Sequence, residues 1–478
     1  MNERTTQALH HLMFEVEPHD YPEELEAVRK EQTAIHAAGD DALKAEAADL
    51  IAENAVDMQS HLADWHLKSR QRHPDTALSD EDLMAEVERN YALLEELGES
   101  ERIAAAKAKT AKVKSSNLLK LARGADAGLH NTRWGNDYAS GLRDAMQKGA
   151  ILVTTNPVLV GVAAKESPDY WTPIRDRIRA DNPKADSVEI AALMTIKVVV
   201  QNARLLRPVW EMSDRRLGLV SLQLSPKEAF DADVMVEGAL RIYEGLCREI
   251  GGTPNTVFKV PGTKAGITVA GELTKRGIGV NVTVNFSLPQ QIAFAGVIEQ
   301  NSTAPLSFRT QMDGRVDDPI GEELKDAGVA DWAEVKTWAT TAIRQREYRM
   351  LCMSPQDGGL GFRRSFCLGA SGRGPWNVLR SVADGPATVF LTVFPNRQVE
   401  FDEVPREINP RAIWEPVPEE KLATLLHKSK LFRQAYEPDG MATDEFDTFL
   451  PVQRTLTEFS AAYDRFVAWC GGQDDALK

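Results

Sequence analysis

From about residue 125 the chain repeats one texture eight times: a short β-branched run, then a stretch long enough for a helix. The runs are Ala127 to Thr132, Ile151 to Thr154, Leu217 to Leu224, Thr256 to Val260, Val280 to Val284, Pro305 to Phe308, Ser365 to Leu368 and Thr388 to Phe394. Helical patterns such as Ala191 to Leu206, Asp231 to Glu249 and Thr268 to Arg276 lie between them. Parallel strands need crossover connections, and a helix after each strand supplies them. Eight units predict a (β/α)8 TIM barrel, an α/β fold whose chemistry gathers at the C-terminal ends of the strands. The first and sixth runs are weak strand formers, which leaves a doubly wound open sheet as the alternative.

The flanking segments read as helix, dividing the chain into an acidic extension over 1–124, a barrel over 125–415 and C-terminal helices over 416–478 packed on it. Residues 1–100 hold 24 Asp and Glu against 8 Lys and Arg, while the whole chain carries −15. The acidity therefore belongs to the extension, and without a concentrated basic face the chain is not expected to bind nucleic acid. Ser79-Asp80-Glu81-Asp82 is a helix-capping signal, followed by Leu83, Val87, Tyr91 and Leu94 at helical spacing and closed by Gly98. The basic run Lys107, Lys109, Lys112, Lys114, Lys120 and Arg123 reads as a solvated helix that pairs with the acidic segment. Seven histidines (His10, His11, His19, His36, His61, His66, His73) fall in the extension. Their spacing lacks the i, i+4 pair of a helical zinc site, so they read as surface histidines beside acids and no metal is expected. The extension is free to dock on the barrel or to form a homo-oligomer contact.

No stretch of eighteen apolar residues occurs, and the N-terminus lacks a basic start with an apolar stretch, so no membrane association is expected. Cys247, Cys352, Cys367 and Cys470 are scattered singly, which fits free thiols and a cytoplasmic setting. No GxxxxGK[ST] run occurs, and the glycines of Gly369 to Gly374 lack the context of a dinucleotide site. Thr310 to Arg364 reads as a long insertion in the sixth unit, with the loop Ser354 to Gly361 as a candidate lid. The tail stripe Leu456, Phe459, Tyr463 and Phe466 is expected to cover the barrel.

Lys259 ends the apolar run Val257-Phe258-Lys259-Val260-Pro261, where a solvated lysine would be misplaced. Such a lysine either forms a structural ion pair or is desolvated until its neutral amine attacks a carbonyl. Other strand ends carry Thr154-Thr155-Asn156-Pro157, Ser221-Leu222-Gln223-Leu224-Ser225-Pro226 and Asn281-Val282-Thr283. Asn156, Gln223, Asn281 and Thr283 would form a neutral polar ring able to hold sugar hydroxyls without a carboxylate to tie up Lys259. The Thr-Thr-Asn-Pro run alone is equally a turn with a helix cap.

These blocks, with Asn202 to Trp210, Phe258 to Thr263 and Gly277 to Ser287, resemble the transaldolase family from about Leu129 to Phe394, and more loosely over Leu431 to Phe459. The resemblance implies a class I aldolase-type barrel in which Lys259 forms a Schiff base with a ketose and a three-carbon unit is held as an enamine, with no cofactor. It implies that Asn156 and Asn281 hold donor hydroxyls and that Thr283 holds the catalytic water. It places phosphate-binding arginines at Arg315 and Arg373, with Ser371 beside the latter, although either arginine alone is commonly a surface ion pair. The sequence departs from the family at two positions. Gln223 stands where transaldolases usually carry glutamate, as in the fructose-6-phosphate aldolase subgroup. Asn131 aligns with the first-strand aspartate that serves as general acid/base, and Asp126, His130 and Asp137 are the alternatives if the register slips.

Three functions follow as expectations. The first is a transaldolase-like enzyme transferring or releasing a dihydroxyacetone unit of a sugar phosphate or other anionic sugar. The second is a specialised aldolase, a lyase of a secondary pathway. The third is a sugar-phosphate-binding homologue without catalysis.

Overall fold

Eight parallel strands close on themselves in sequence order in the computed structural model, which describes residues 21–72 and 78–477. They are β1 (Thr132–Asn136), β2 (Leu152–Thr154), β3 (Leu219–Gln223), β4 (Thr256–Pro261), β5 (Val280–Thr283), β6 (Ser307–Met312), β7 (Ser365–Ala370) and β8 (Val389–Val393). Five consecutive residues of β1, Thr132 to Asn136, pair with Val389 to Val393 of β8 and close the ring. That closure makes the fold a (β/α)8 barrel and rules out the open sheet. The strands are short and almost wholly buried, as expected of a parallel sheet covered on its outside by helices.

The first and sixth strands lie further along the chain than their β-branched content predicts. The first run was expected at Ala127 to Thr132, but those residues finish the helix Asn117–Asp126 and a turn, and β1 begins at Thr132. Its sequence, Thr-Arg-Trp-Gly-Asn, has poor intrinsic strand character. Pairing with the apolar β8 supplies what propensity does not. β6 likewise runs to Met312 because each of its six residues finds a partner on β7.

The extension forms the helices Tyr21–Ala38, Asp41–Asp57, His61–Arg72, Asp80–Glu96 and Ser100–Lys114. Asp41–Asp57 is the central one, burying Ala47, Ala48, Leu50, Ile51, Ala55 and Val56. The helix Asp80–Glu96 starts at the capping box read from sequence: the Ser79 side chain accepts from the Asp82 amide, and the Asp82 carboxylate accepts from the Ser79 amide. Such a cap is worth about 1 kcal/mol. Leu83, Val87, Tyr91 and Leu94 then face the core. One continuous apolar cluster joins Ile51, Leu62 and Leu83 of the extension to Leu142, Val153 and Leu206 of the barrel, so the extension is docked in cis. The basic run meets acids as expected: Lys109 bridges Glu53 and Asp144, and Arg123 pairs with Asp64. His36 and His61 each face a carboxylate, Glu99 and Asp126. His10, His11, His19 and His73 lie outside the described residues.

The lid expectation is corrected. β6 ends at Met312 and the helix Asp313–Asp326 starts at the next residue, so no long loop rises over that strand. Ser354 to Gly361 instead precedes β7 and therefore sits at the N-terminal end of the barrel. There the Arg363 and Arg364 amides both donate to Glu299 at 3.0 Å. The mouth is crossed by the helix Leu450–Cys470, which packs on segments following β2, β3 and β6. Its Leu456, Phe459 and Phe466 are buried and Tyr463 is half-buried. Among the described residues no helix is long and apolar enough to cross a membrane.

Candidate active site

Strand β4 carries Lys259 inside a run of six buried residues, Thr256–Pro261, and the lysine itself is only 6% exposed. Its register partners are Gln223 on β3 and Asn281 on β5, so the three side chains stand in one row facing the same way. Among the described residues no hydrogen bond or ion pair holds the ammonium. Burial lowers the Lys259 pKa to about 8; the nearby Asp137 charge works against that and Arg315 adds to it. Desolvation disfavours the charged form because the protein interior solvates an ammonium poorly.

Beneath the amine the polar groups are held in place. Asn281 Nδ2 donates to Ser221 Oγ at 2.9 Å, spanning the intervening β4 on the inside of the barrel, and Asn281 Oδ1 accepts from Thr310 Oγ1. Thr283 Oγ1 faces Met312 Sδ at 3.5 Å. Gln223 Oε1 is buried with no partner, a free acceptor beside Lys259. A buried acceptor without a hydrogen bond costs about 1–3 kcal/mol. Asn156 is half-buried just beyond β2.

The first-strand residue is reassigned by position. Asn131 precedes β1 at the N-terminal end of the barrel, where its amide donates to Ala383 O at 2.6 Å and its Nδ2 to Gly385 O. It therefore lies at the opposite end of the barrel from the mouth. His130 is buried at the same end, its Nδ1 accepting from the Thr132 amide, and burial followed by the Arg133 charge lowers its pKa. Asp126 is tied there to His61, Lys68 and Arg133; burial opposes its ionisation, but His61, Arg133 and Lys68 hold its carboxyl well below the usual range. Asp137 alone of the alternatives reaches the mouth. It follows β1 directly, is 3% exposed, and accepts from Thr154 Oγ1 at 2.5 Å and the Ser371 amide at 3.4 Å.

The two arginines also reach the mouth. Arg315 opens the helix after β6 and its guanidinium binds both oxygens of Glu458, at 2.6 and 2.9 Å. Arg373 donates to Asp318 Oδ2 at 3.1 and 3.0 Å and to Ser371 O at 3.1 Å. Gly314 lets Arg373 lie close over the start of this helix: a Cβ there would lie 2.3 Å from Arg373 Cζ and displace the guanidinium. Ser371 (φ 57°) and Val284 (φ 52°) hold left-handed backbone directly after β7 and β5. For a β-branched valine this is a strained conformation, and strain of this kind collects at functional sites. Thr154 and Ser221 stood in the quoted strand-end runs without a role of their own, and Thr310, Met312 and Glu458 were not singled out from sequence. The first four could have been found by counting alternate residues along each strand, since period-2 alternation sends them inward.

The mouth of this closed (β/α)8 barrel thus brings together a buried lysine without an ion pair, a carboxylate just after the first strand and two arginines at the rim. A family model described as Transaldolase/Fructose-6-phosphate aldolase matches residues 141–379, half of the chain. The chain belongs to that family. It is 28% identical over 232 residues to Transaldolase 2 of Nostoc sp., covering 44% of this chain and 58% of the relative. It is 28% identical over 227 residues to Transaldolase of Thiobacillus denitrificans (43% and 61%) and 29% identical over 211 residues to Transaldolase 1 of Streptomyces avermitilis (42% and 54%). The chain thus spans a little over half the length of these curated relatives.

Proposed function

We propose that the protein is a transaldolase-like enzyme that forms a Schiff base between Lys259 and a ketose, and transfers or releases a dihydroxyacetone unit. The observation that carries this reading is Lys259 itself: buried, without an ion pair, its amine pKa lowered to about 8. At pH 7 about a tenth of such amines are neutral, against roughly 0.04% of ordinary lysines, a gain of about two-hundredfold in nucleophile.

The neutral amine adds to the ketose C2 carbonyl, and loss of water gives an iminium. Asp137 accepts the proton of the C4 hydroxyl, the C3–C4 bond breaks, and its electron pair moves into the iminium to give an enamine as the aldehyde departs. A new aldehyde then takes the enamine carbon, with Asp137 returning its proton; alternatively, protonation and hydrolysis release dihydroxyacetone. Asn281 and Asn156 suit the donor hydroxyls, and Thr283 with Gln223 suits the water of imine formation and hydrolysis. Arg315 and Arg373, with Ser371, suit a sugar phosphate or other anionic end. The family relationship and the free thiols are consistent with sugar metabolism in the cytoplasm, and the extension's outer face leaves room for a homo-oligomer.

A second reading, the lyase, is favoured by Gln223. An amide cannot exchange a proton with the water as a glutamate can, which leaves proton handling to Asp137 alone. The deciding experiment is borohydride trapping with a panel of ketose phosphates, read by intact and peptide mass spectrometry. A mass gain on the Lys259 peptide that disappears in Lys259→Ala is expected. Sugar-phosphate binding with no trapped adduct would instead establish the non-catalytic reading.

A further inference from the structure

The helix Leu450–Cys470 is fastened across the mouth by three ion pairs: Arg454 to Glu322, Glu458 to Arg315 and Asp464 to Lys227. The outer two join exposed groups, and such pairs contribute little. The middle pair differs. Its carboxylate is 54% exposed, but the Arg315 side chain is only 22% exposed, the guanidinium lies 4.9 Å from the Phe459 ring centroid, and its charge is felt at Lys259. Glu458 takes both Nη1 and Nη2, which is the fork geometry that an incoming phosphate or carboxylate would use. The hydrogen bonds from Arg315, then its charge and that of Arg373, hold the Glu458 carboxyl below its usual range against the effect of partial burial. Glu458 therefore stays anionic within the field of both rim arginines. Arg373 is in turn engaged by Asp318.

We propose that Glu458 is a specificity-determining residue: its carboxylate occupies the anion seat of Arg315, so a phosphorylated sugar must displace it while an uncharged sugar need not. This rests on the assignment of the Lys259 mouth as the sugar site. Displacement breaks the Glu458–Arg315 fork and leaves a carboxylate beside the incoming phosphate, both at the expense of its binding. The preference of the arginine rim for a phosphorylated over an uncharged distal end is thereby reduced.

The test is titration of the full chain with inorganic phosphate by calorimetry, comparing wild type, Glu458→Gln and the double variant Glu458→Gln/Arg315→Gln. Glu458→Gln keeps the shape but removes the charge and one of the two acceptor oxygens of the fork. Phosphate binding is expected to tighten about tenfold, or about 1.4 kcal/mol, and to be lost again in the double variant. The KM ratio of fructose 6-phosphate to fructose should fall by a similar factor. Unchanged phosphate affinity in Glu458→Gln, or tightening that persists without Arg315, overturns the proposal. Should Glu458→Gln fold poorly, Glu458→Asp, which withdraws the charge by one methylene, is expected to give an intermediate tightening, and no change there is equally fatal. The phosphate titration can be repeated in Lys259→Met, so a failure of borohydride trapping sinks the Schiff-base reading while leaving the Glu458 result to be judged alone.

Discussion

Replacing Asp137 by asparagine should separate the two halves of the reaction. The amide keeps an oxygen for Thr154 Oγ1 but loses the charge, and that charge is what favours the ammonium of Lys259. The amine pKa therefore falls below its wild-type value of about 8, and Schiff-base formation at pH 7 is not slowed. Carbon–carbon cleavage loses its proton acceptor, a loss of about 10²–10⁴ in rate or about 2.7–5.4 kcal/mol of barrier. With fructose 6-phosphate and borohydride, the wild type is expected to retain a three-carbon fragment on the Lys259 peptide, whereas Asp137→Asn should retain the whole hexose. Aldehyde release, followed in parallel by a coupled assay, should fall by the factors given. Asn131→Ala is the control and should leave cleavage within twofold. Aldehyde release by Asp137→Asn within threefold of wild type would refute the assignment of the acid/base, and so would an Asn131→Ala defect of the same size.

The same lysine carries a stability cost. Burial holds its folded pKa at about 8, below the ordinary lysine value of about 10.4, so between those two pH values the unfolded chain binds the extra proton and stability rises with pH. Lys259→Met should therefore be more stable than wild type by on the order of 3 kcal/mol at pH 7, the difference shrinking from pH 8 to 10 in urea titrations; a pH-independent difference would contradict the origin assigned to it. Gln223→Glu sets a carboxylate beside the amine in register, and the midpoint of borohydride trapping against pH should move above about 8; a fixed or lower midpoint would show that the two side chains do not meet. Behind β6, Arg309 and Glu347 form an ion pair with side chains 0% and 1% exposed. Glu347→Leu strands the buried guanidinium and should cost about 3–5 kcal/mol in chemical denaturation, whereas an effect below 1 kcal/mol would mean that water reaches the pair.

The barrel was legible because its central strands carry their signal locally. Val257-Phe258-Lys259-Val260 and Val280-Asn281-Val282-Thr283 announce buried strands with polar exceptions, and those exceptions are the site. The first strand was not legible, because Arg133, Gly135 and Asn136 have no strand preference of their own and are held by β8, more than 250 residues away. The displaced strand carried the expected acid with it, from Asp137 to Asn131. The lid was misplaced for a related reason: a long irregular segment does not declare whether it leaves a strand or returns to one. Glu458 gave no signal either. It becomes meaningful only opposite Arg315, 143 positions earlier, and no local pattern reports a pairing at that range.

The way the extension grips the first barrel helix bears on how far this chain can be shortened. That helix, Leu142–Gln147, follows the Asp137 turn and has only six residues, too few to hold its shape unaided. Asp57 of the extension accepts from Arg143 Nη2 at 2.8 Å and from Gln147 Nε2 at 2.7 Å, while Asn54 accepts from Arg143 Nη2 at 3.0 Å. A version trimmed to the barrel alone would keep Lys259 and Asp137 and yet leave Arg143 and Gln147 of this short helix without their carboxylate and amide partners. The folding unit of this chain therefore does not end where the barrel begins: the helix Asp41–Asp57 completes the hydrogen bonding of the first barrel helix.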